Sequence, residues 1–123
     1  MFLLDFFQLV FTPLASNFGI KTECEIKKRG YYPKGGGEVF LRIHPIKELK
    51  PIDLTDFGSL KRICVRSFVA GYLPVEIAHR MAQTVNQELK KQFKTVPIEI
   101  DIIKEPEHTY IGVGTGIIIG IYF

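Results

Sequence analysis

The 123-residue sequence has only two cysteines, Cys24 and Cys64, and neither belongs to a CxxC pair or a Cys/His cluster. That argues against a zinc module with ordinary ligand spacing and against a disulfide scaffold. Two isolated thiols fit a reducing intracellular compartment. Histidine is also scarce: His44, His79 and His108 lie far apart and show no metal-ligand spacing. No Ser/His/Asp or Cys/His grouping can be assembled for nucleophilic catalysis. Internal repeats and low-complexity segments are missing as well. There is no long uninterrupted hydrophobic run. The apolar opening, Met1 to Phe11, is broken by Asp5 and Gln8. It is too short to span a bilayer and lacks the basic n-region and clean cleavage site of a secretory signal. No membrane partner is expected.

What is present is a globular composition, 46% hydrophobic and 24% charged. A chain of this length can bury one modest core. The net charge of +3 and pI near 8.9 are mildly basic. Nucleic acid and ordinary protein surfaces are both compatible with that balance.

The chain is organised around Arg29-Gly30-Tyr31-Tyr32-Pro33-Lys34-Gly35-Gly36-Gly37-Glu38-Val39. Before it, Ile20, Thr22, Cys24 and Ile26 alternate with charged residues. After it, Val39, Leu41 and Ile43 alternate with Glu38, Phe40, Arg42 and His44. Both flanks have the period of two of half-buried strands, so the stretch between them connects a β-hairpin. A tight hairpin needs only two residues with φ > 0. Here three consecutive glycines strip the Cβ atoms from a length of backbone and let its N–H groups approach another molecule. Such a backbone can form an anion-binding concavity, with Arg29 and Lys34 as cations on its rim. A solvated, flexible loop is the plainer reading. The phosphate-binding GxxxxGK[ST] loop is not matched, because no Lys-Ser or Lys-Thr follows and no helix opens there.

The remaining chain supplies the frame. Residues 2 to 18 read as helix, perturbed at Thr12-Pro13. Either Thr12 caps a second helix with Pro13 in its first turn, or one helix is kinked. A helix this apolar all round belongs inside a larger protein. Gly19 is the expected stop. Residues 45 to 59, with prolines and charges, look like a linker, and a boundary falls near Pro51. Leu60 to Phe68 reads as a strand carrying Lys61, Arg62 and Arg66. A helix follows from Pro74 to about Phe93, its stripe formed by Ile77, Met81, Val85 and Leu89, widened by Ala78 and Ala82. Glu76 and Arg80 are spaced to pair. Val96, Ile98, Ile100 and Ile102 alternate inward on the next strand, with Glu99 and Asp101 as its polar face. Lys104 to Thr109 is a polar turn. Gly112 to Gly116 lacks the GxGxxG spacing and runs into a strand, which argues against a dinucleotide site. The fold class is α+β: a helix and β-hairpin, then a small strand-helix-strand-strand layer.

The spacing Arg29-Gly30-x-x-Pro33-x-Gly35-Gly36-Gly37-x-Val39 resembles the signature of the RNA 3'-terminal phosphate cyclase family. Val10 to Leu14 and Phe18-Gly19 resemble the helix before that signature. Pro51 to Thr55, Ser67 to Pro74 and Gly112 to Ile119 resemble the family's small inserted domain. The resemblance implies that residues 1–50 are the C-terminal part of a large-domain repeat and 51–123 an insert domain incomplete at its C-terminus. It implies an ATP- and Mg²⁺-dependent ligase-class enzyme that converts RNA 3'-phosphate ends to 2',3'-cyclic phosphates through an adenylated histidine. In a eukaryote it implies a nuclear location. The family's nucleophile belongs to a region after the insert, and none of His44, His79 or His108 aligns with it. This chain alone is therefore expected to be inactive. Arg29, Lys34, Gly35, Gly36 and Gly37 are the RNA- or phosphate-binding candidates, with no catalytic or metal residue assigned. Two other readings stand beside this one: a non-catalytic relative that serves ribosome assembly, and an unrelated α+β interaction module.

Overall fold

The computed structural model describes residues 2–123; Met1, the first residue of the apolar opening, lies outside them. The chain begins with one continuous helical run: α1 (Phe2–Phe6), a π-helical turn (Phe7–Phe11) and α2 (Thr12–Asn17). Of the two arrangements left open around Pro13, the single run is the one that forms. Phe11 and Thr12 both have right-handed helical backbone, so Thr12 is not a cap. The widened turn is how the proline is tolerated. Proline removes an N–H and crowds the preceding turn, and here the Thr12 N–H reaches back five residues to the Phe7 carbonyl. Gly19 then stops the run with φ of 88°.

The hairpin follows as β1 (Lys21–Gly30) and β2 (Glu38–His44), antiparallel with Cys24 opposite Leu41 and Ile26 opposite Val39. Alternate burial holds along β1, where the helical run packs. Gln8 Nε2 donates to the Cys24 carbonyl at 2.8 Å. It does not hold along β2. Val39, Leu41 and Ile43 are exposed, as is Phe40, so the expected half-burial of this strand is corrected. The reason is position: β2 is the outer strand of its sheet, and the helical run lies over β1.

Residues 45–61 have no regular structure. Asp53 accepts from the Thr55 N–H and hydroxyl, at 2.9 and 2.7 Å, in a local turn. A second sheet, of three strands, comes next. β3 (Arg62–Ala70) lies between β4 (Ile98–Lys104), which is parallel to it, and β6 (Gly114–Tyr122), which is antiparallel. α3 (Glu76–Gln92) covers one face. Ile63, Val65, Ser67 and Val69 are fully buried. Ala78 and Ala82 are the deepest helix positions and let α3 approach closely, with the Ser67 hydroxyl donating to the Ala78 carbonyl at 2.9 Å. Ile98 and Ile102 are partly buried as expected, whereas Ile100 is exposed. No Glu76–Arg80 pair forms among the described residues; Lys91 and Glu88 pair instead at 2.6 Å.

One strand has no counterpart in the sequence pattern. After a 3-10 turn (Glu107–Thr109), the two-residue β5 (Tyr110–Ile111) pairs in parallel with the end of β1, Arg29 opposite Tyr110 and Gly30 opposite Ile111. It ties the hairpin to the second sheet. The contact is completed on the sheet face away from α3, where Tyr31 packs on Phe68 and Ala70, flanked by Ile103, Tyr110 and Ile118. The architecture is α+β, in two small layered units joined at the glycine turn.

Candidate functional site

The β1–β2 connection is not a slack loop. The Gly35 N–H donates to the Tyr31 carbonyl at 2.8 Å, closing a turn around a cis Tyr32–Pro33 bond. Its glycines answer two different demands. Gly35 and Gly36 have φ of 63° and 72°, in the left-handed region that side chains disfavour. Gly30 and Gly37 are needed for close crossing: a Cβ on Gly30 would lie 2.6 Å from the Gly37 nitrogen. Tyr32, Lys34, Gly36 and Gly37 are exposed. Gly30, Gly35 and Gly37 border a cleft of about 190 Å³ together with Lys28 and Arg29.

The base of the turn is charged and largely buried. Arg29 grips Asp5 of α1 with both terminal nitrogens, at 3.0 and 2.9 Å. Its Nε faces Glu105 at 3.5 Å. Asp5 is only 4% exposed, and the Arg29 and Glu105 side chains 17% and 15%. Burial disfavours the charge on Arg29, but the Asp5 hydrogen bonds and the charges of Asp5 and Glu105 more than offset it. The guanidinium pKa therefore sits above its usual value. Next to it, the Tyr31 ring packs against Gly114, so closely that a Cβ there would overlap the ring. A Cβ on Gly112 would lie 3.2 Å from the Tyr31 carbonyl oxygen. Two glycines of the Gly-x-Gly-x-Gly stretch, Gly112 and Gly114, are thereby accounted for by packing. Tyr31 is 7% exposed, and its hydroxyl is buried without a hydrogen-bond partner. Burial first, and then the Glu105 charge, push this phenol up to about 12.

The structure thus divides the residues singled out by sequence. Lys34, Gly36 and Gly37 are exposed in the turn, and Gly35 is half-buried. Arg29 lies at the base with its charge already compensated. Asp5, Glu105 and Tyr31 form that base with it and were not among the sequence candidates. Asp5 did carry a signal: an isolated carboxylate in an apolar helix needs a buried partner. Several other charged groups pair on the surface. His44 and Arg42 converge on Glu23, at 2.9 and 3.3 Å. That hydrogen bond from His44, against a small burial effect and aided by the Arg42 charge, lowers the Glu23 pKa. Arg62 meets Glu99 at 3.5 Å and Arg66 meets Asp101 at 3.3 Å, so these β3 cations do not extend a free basic surface. Among the described residues no group of three or more His, Cys, Asp or Glu is placed to hold a metal ion. The carboxylates at the base of the turn, Asp5 and Glu105, face Arg29 and do not fit a magnesium site. No helix among them is long and apolar enough to cross a membrane.

The family model described as RNA 3'-terminal phosphate cyclase matches residues 2–106, which include the turn, Asp5, Arg29 and Glu105. The chain belongs to the RNA 3'-terminal phosphate cyclase family. Over 120 residues it is 39% identical to a probable RNA 3'-terminal phosphate cyclase of Dictyostelium discoideum, covering 96% of this chain and 28% of that protein. It is 34% identical over 116 residues to the RNA 3'-terminal phosphate cyclase of Pyrobaculum aerophilum, covering 94% of this chain and 32% of the relative. The Drosophila melanogaster cyclase is 30% identical over 114 residues, covering 93% of this chain and 32% of the relative. This cyclase-family chain spans about a third of the length of these relatives.

Proposed function

We propose that this chain is the part of an RNA 3'-terminal phosphate cyclase that holds the phosphate end of the RNA. In the whole enzyme an RNA 3'-phosphate would be converted, with ATP and Mg²⁺, to a 2',3'-cyclic phosphate. The observation that carries the reading is the exposed, Cβ-free turn with Lys34 beside it, inside a chain matched by the cyclase family over residues 2–106. Backbone N–H groups free of side chains and one mobile point charge suit a terminal phosphate, and they carry no base preference. Residues 1–50 and 51–123 act in this reading as the end of a large-domain repeat and as the insert.

Nucleotidyl transfer needs a positioned nucleophile and charge stabilisation at the same phosphorus. The three histidines of the chain lie on separate elements. His44 on β2 is held by Glu23, His79 is exposed on α3, and His108 lies in the 3-10 turn. None lies in the glycine turn. This chain alone therefore binds RNA ends without becoming adenylated. Incubation with labelled ATP and magnesium is expected to leave the polypeptide unlabelled; a covalent adenylate would overturn that assignment. Binding is read by the anisotropy of short labelled RNAs that differ only in a 3'-phosphate or 3'-hydroxyl end. The phosphate end should bind more tightly, and Lys34→Ala should remove most of the difference. Equal binding of both ends would sink the proposed role.

A further inference from the structure

The glycine turn stands on a charged support that the proposed function has not used. Arg29 reaches Asp5 with a two-nitrogen fork and Glu105 with Nε, so one cation faces two carboxylates. A phosphate arriving at this point would meet a net negative site and would have to displace buried ion pairs. The three partners come from separate parts of the chain: Asp5 from α1, Arg29 from the end of β1, and Glu105 from just beyond β4. Glu105 is itself anchored, its N–H donating to the Val69 carbonyl at 2.9 Å. From Arg29 the backbone runs directly into the turn. Gly30 crosses Gly37 backbone on backbone, the Tyr31 N–H donates to the Ile111 carbonyl at 2.9 Å, and the Gly35 N–H donates to the Tyr31 carbonyl.

We propose that Arg29 is a positioning residue: gripping Asp5 and Glu105, it fixes the base of the turn so that Lys34 and the Gly36 and Gly37 amides stand preorganised, and it does not itself meet the anion. The proposal rests on the phosphate-holding role given above. It also explains why arginine is used. A lysine at this place would keep the charge but lose the planar fork that meets Asp5 through two nitrogens. Preorganised donors bind more tightly than mobile ones because less freedom is lost on binding.

The test uses the whole 123-residue chain, with amide exchange at Gly35 read by NMR and binding of phosphate-ended and hydroxyl-ended RNA read across a salt series. Arg29→Ala and Asp5→Asn should each speed Gly35 exchange by about tenfold or more, as local opening becomes easier. Lys34→Ala should leave exchange unchanged. Affinity for the phosphate end should fall in all three variants, but only Lys34→Ala should flatten the salt dependence, by roughly 0.7 in the log–log slope for one lost phosphate contact. Arg29→Lys should not restore Gly35 protection. Asp5→Asn gives the opposite sign under the two views and still reports if Arg29→Ala fails to fold. If Arg29 touched the phosphate, neutralising Asp5 would free it and tighten binding. Tighter binding in Asp5→Asn, or a slope loss in Arg29→Ala equal to that of Lys34→Ala, would overturn the proposal. Should the wild-type chain fail to distinguish the two RNA ends, the phosphate-holding role falls, while Gly35 exchange still decides whether Arg29 holds the turn.

Discussion

Tyr31 carries the most direct thermodynamic reading in the molecule. Its ring fills space against Gly114, Phe68 and Ala70, while its hydroxyl is buried with no partner. Tyr31→Phe should therefore be neutral or stabilising by up to about 1 kcal/mol in chemical denaturation, since a desolvated hydroxyl returns nothing. The pH dependence follows from the same burial, which together with Glu105 pushes the phenol up to about 12 from its ordinary 10. The folded chain thus holds the proton more tightly than the unfolded chain. Stability tied to the neutral phenol is complete below pH 10 and is lost as the pH rises toward 12. Comparing unfolding of wild type and Tyr31→Phe across that range should show the wild type losing more. Gly114→Ala would drive a Cβ into the ring, and overpacking of this kind costs about 1–3 kcal/mol or more. A smaller side chain at position 31 should recover part of that loss, which a double-mutant cycle would measure. Gly35→Ala meets open space and only the left-handed backbone penalty, about 1–2 kcal/mol.

The packing of α3 on β3 illustrates how an element is held. Small residues on the helix and branched ones on the strand bring the two close, and the Ser67 hydroxyl bonds a helix carbonyl in the gap. Ile63→Ala should cost about 2–5 kcal/mol, because the site is fully enclosed and cannot collapse. Ser67→Ala should cost only about 1 kcal/mol, because the Ala78 carbonyl lies within α3 and keeps its helical surroundings. Thermal or urea unfolding of the two variants should preserve that ordering. Both elements are legible in the amino-acid sequence. A four-residue stripe flanked by alanines specifies a helix with one narrow, deep face, and Pro74 and Gly71 mark its approach. The helical run at the start is less legible. Pro13 marks a disturbance but not its form, because widening the preceding turn and breaking the helix both satisfy a missing N–H.

Taken whole, the molecule is two small layered units tied together by β5, by the Tyr31 contact and by the Asp5–Arg29–Glu105 ion pairs. Losing one partner of an ion pair costs about 1 kcal/mol at a surface and about 3–5 kcal/mol when buried. Asp5→Asn should fall between those limits in equilibrium unfolding. Strands, helix and glycine turn are written in the chain because period and backbone freedom are local properties, readable a few residues at a time. The partner of Arg29 is not, since it lies 24 positions away and is reached only when α1 folds back over β1. Nor is the exposure of β2, which has the alternation of a half-buried strand but takes its place at the outer edge of its sheet. Contacts of that kind depend on how distant segments return to one another. In this chain, that return set Arg29 between Asp5 and Glu105 at the base of the turn.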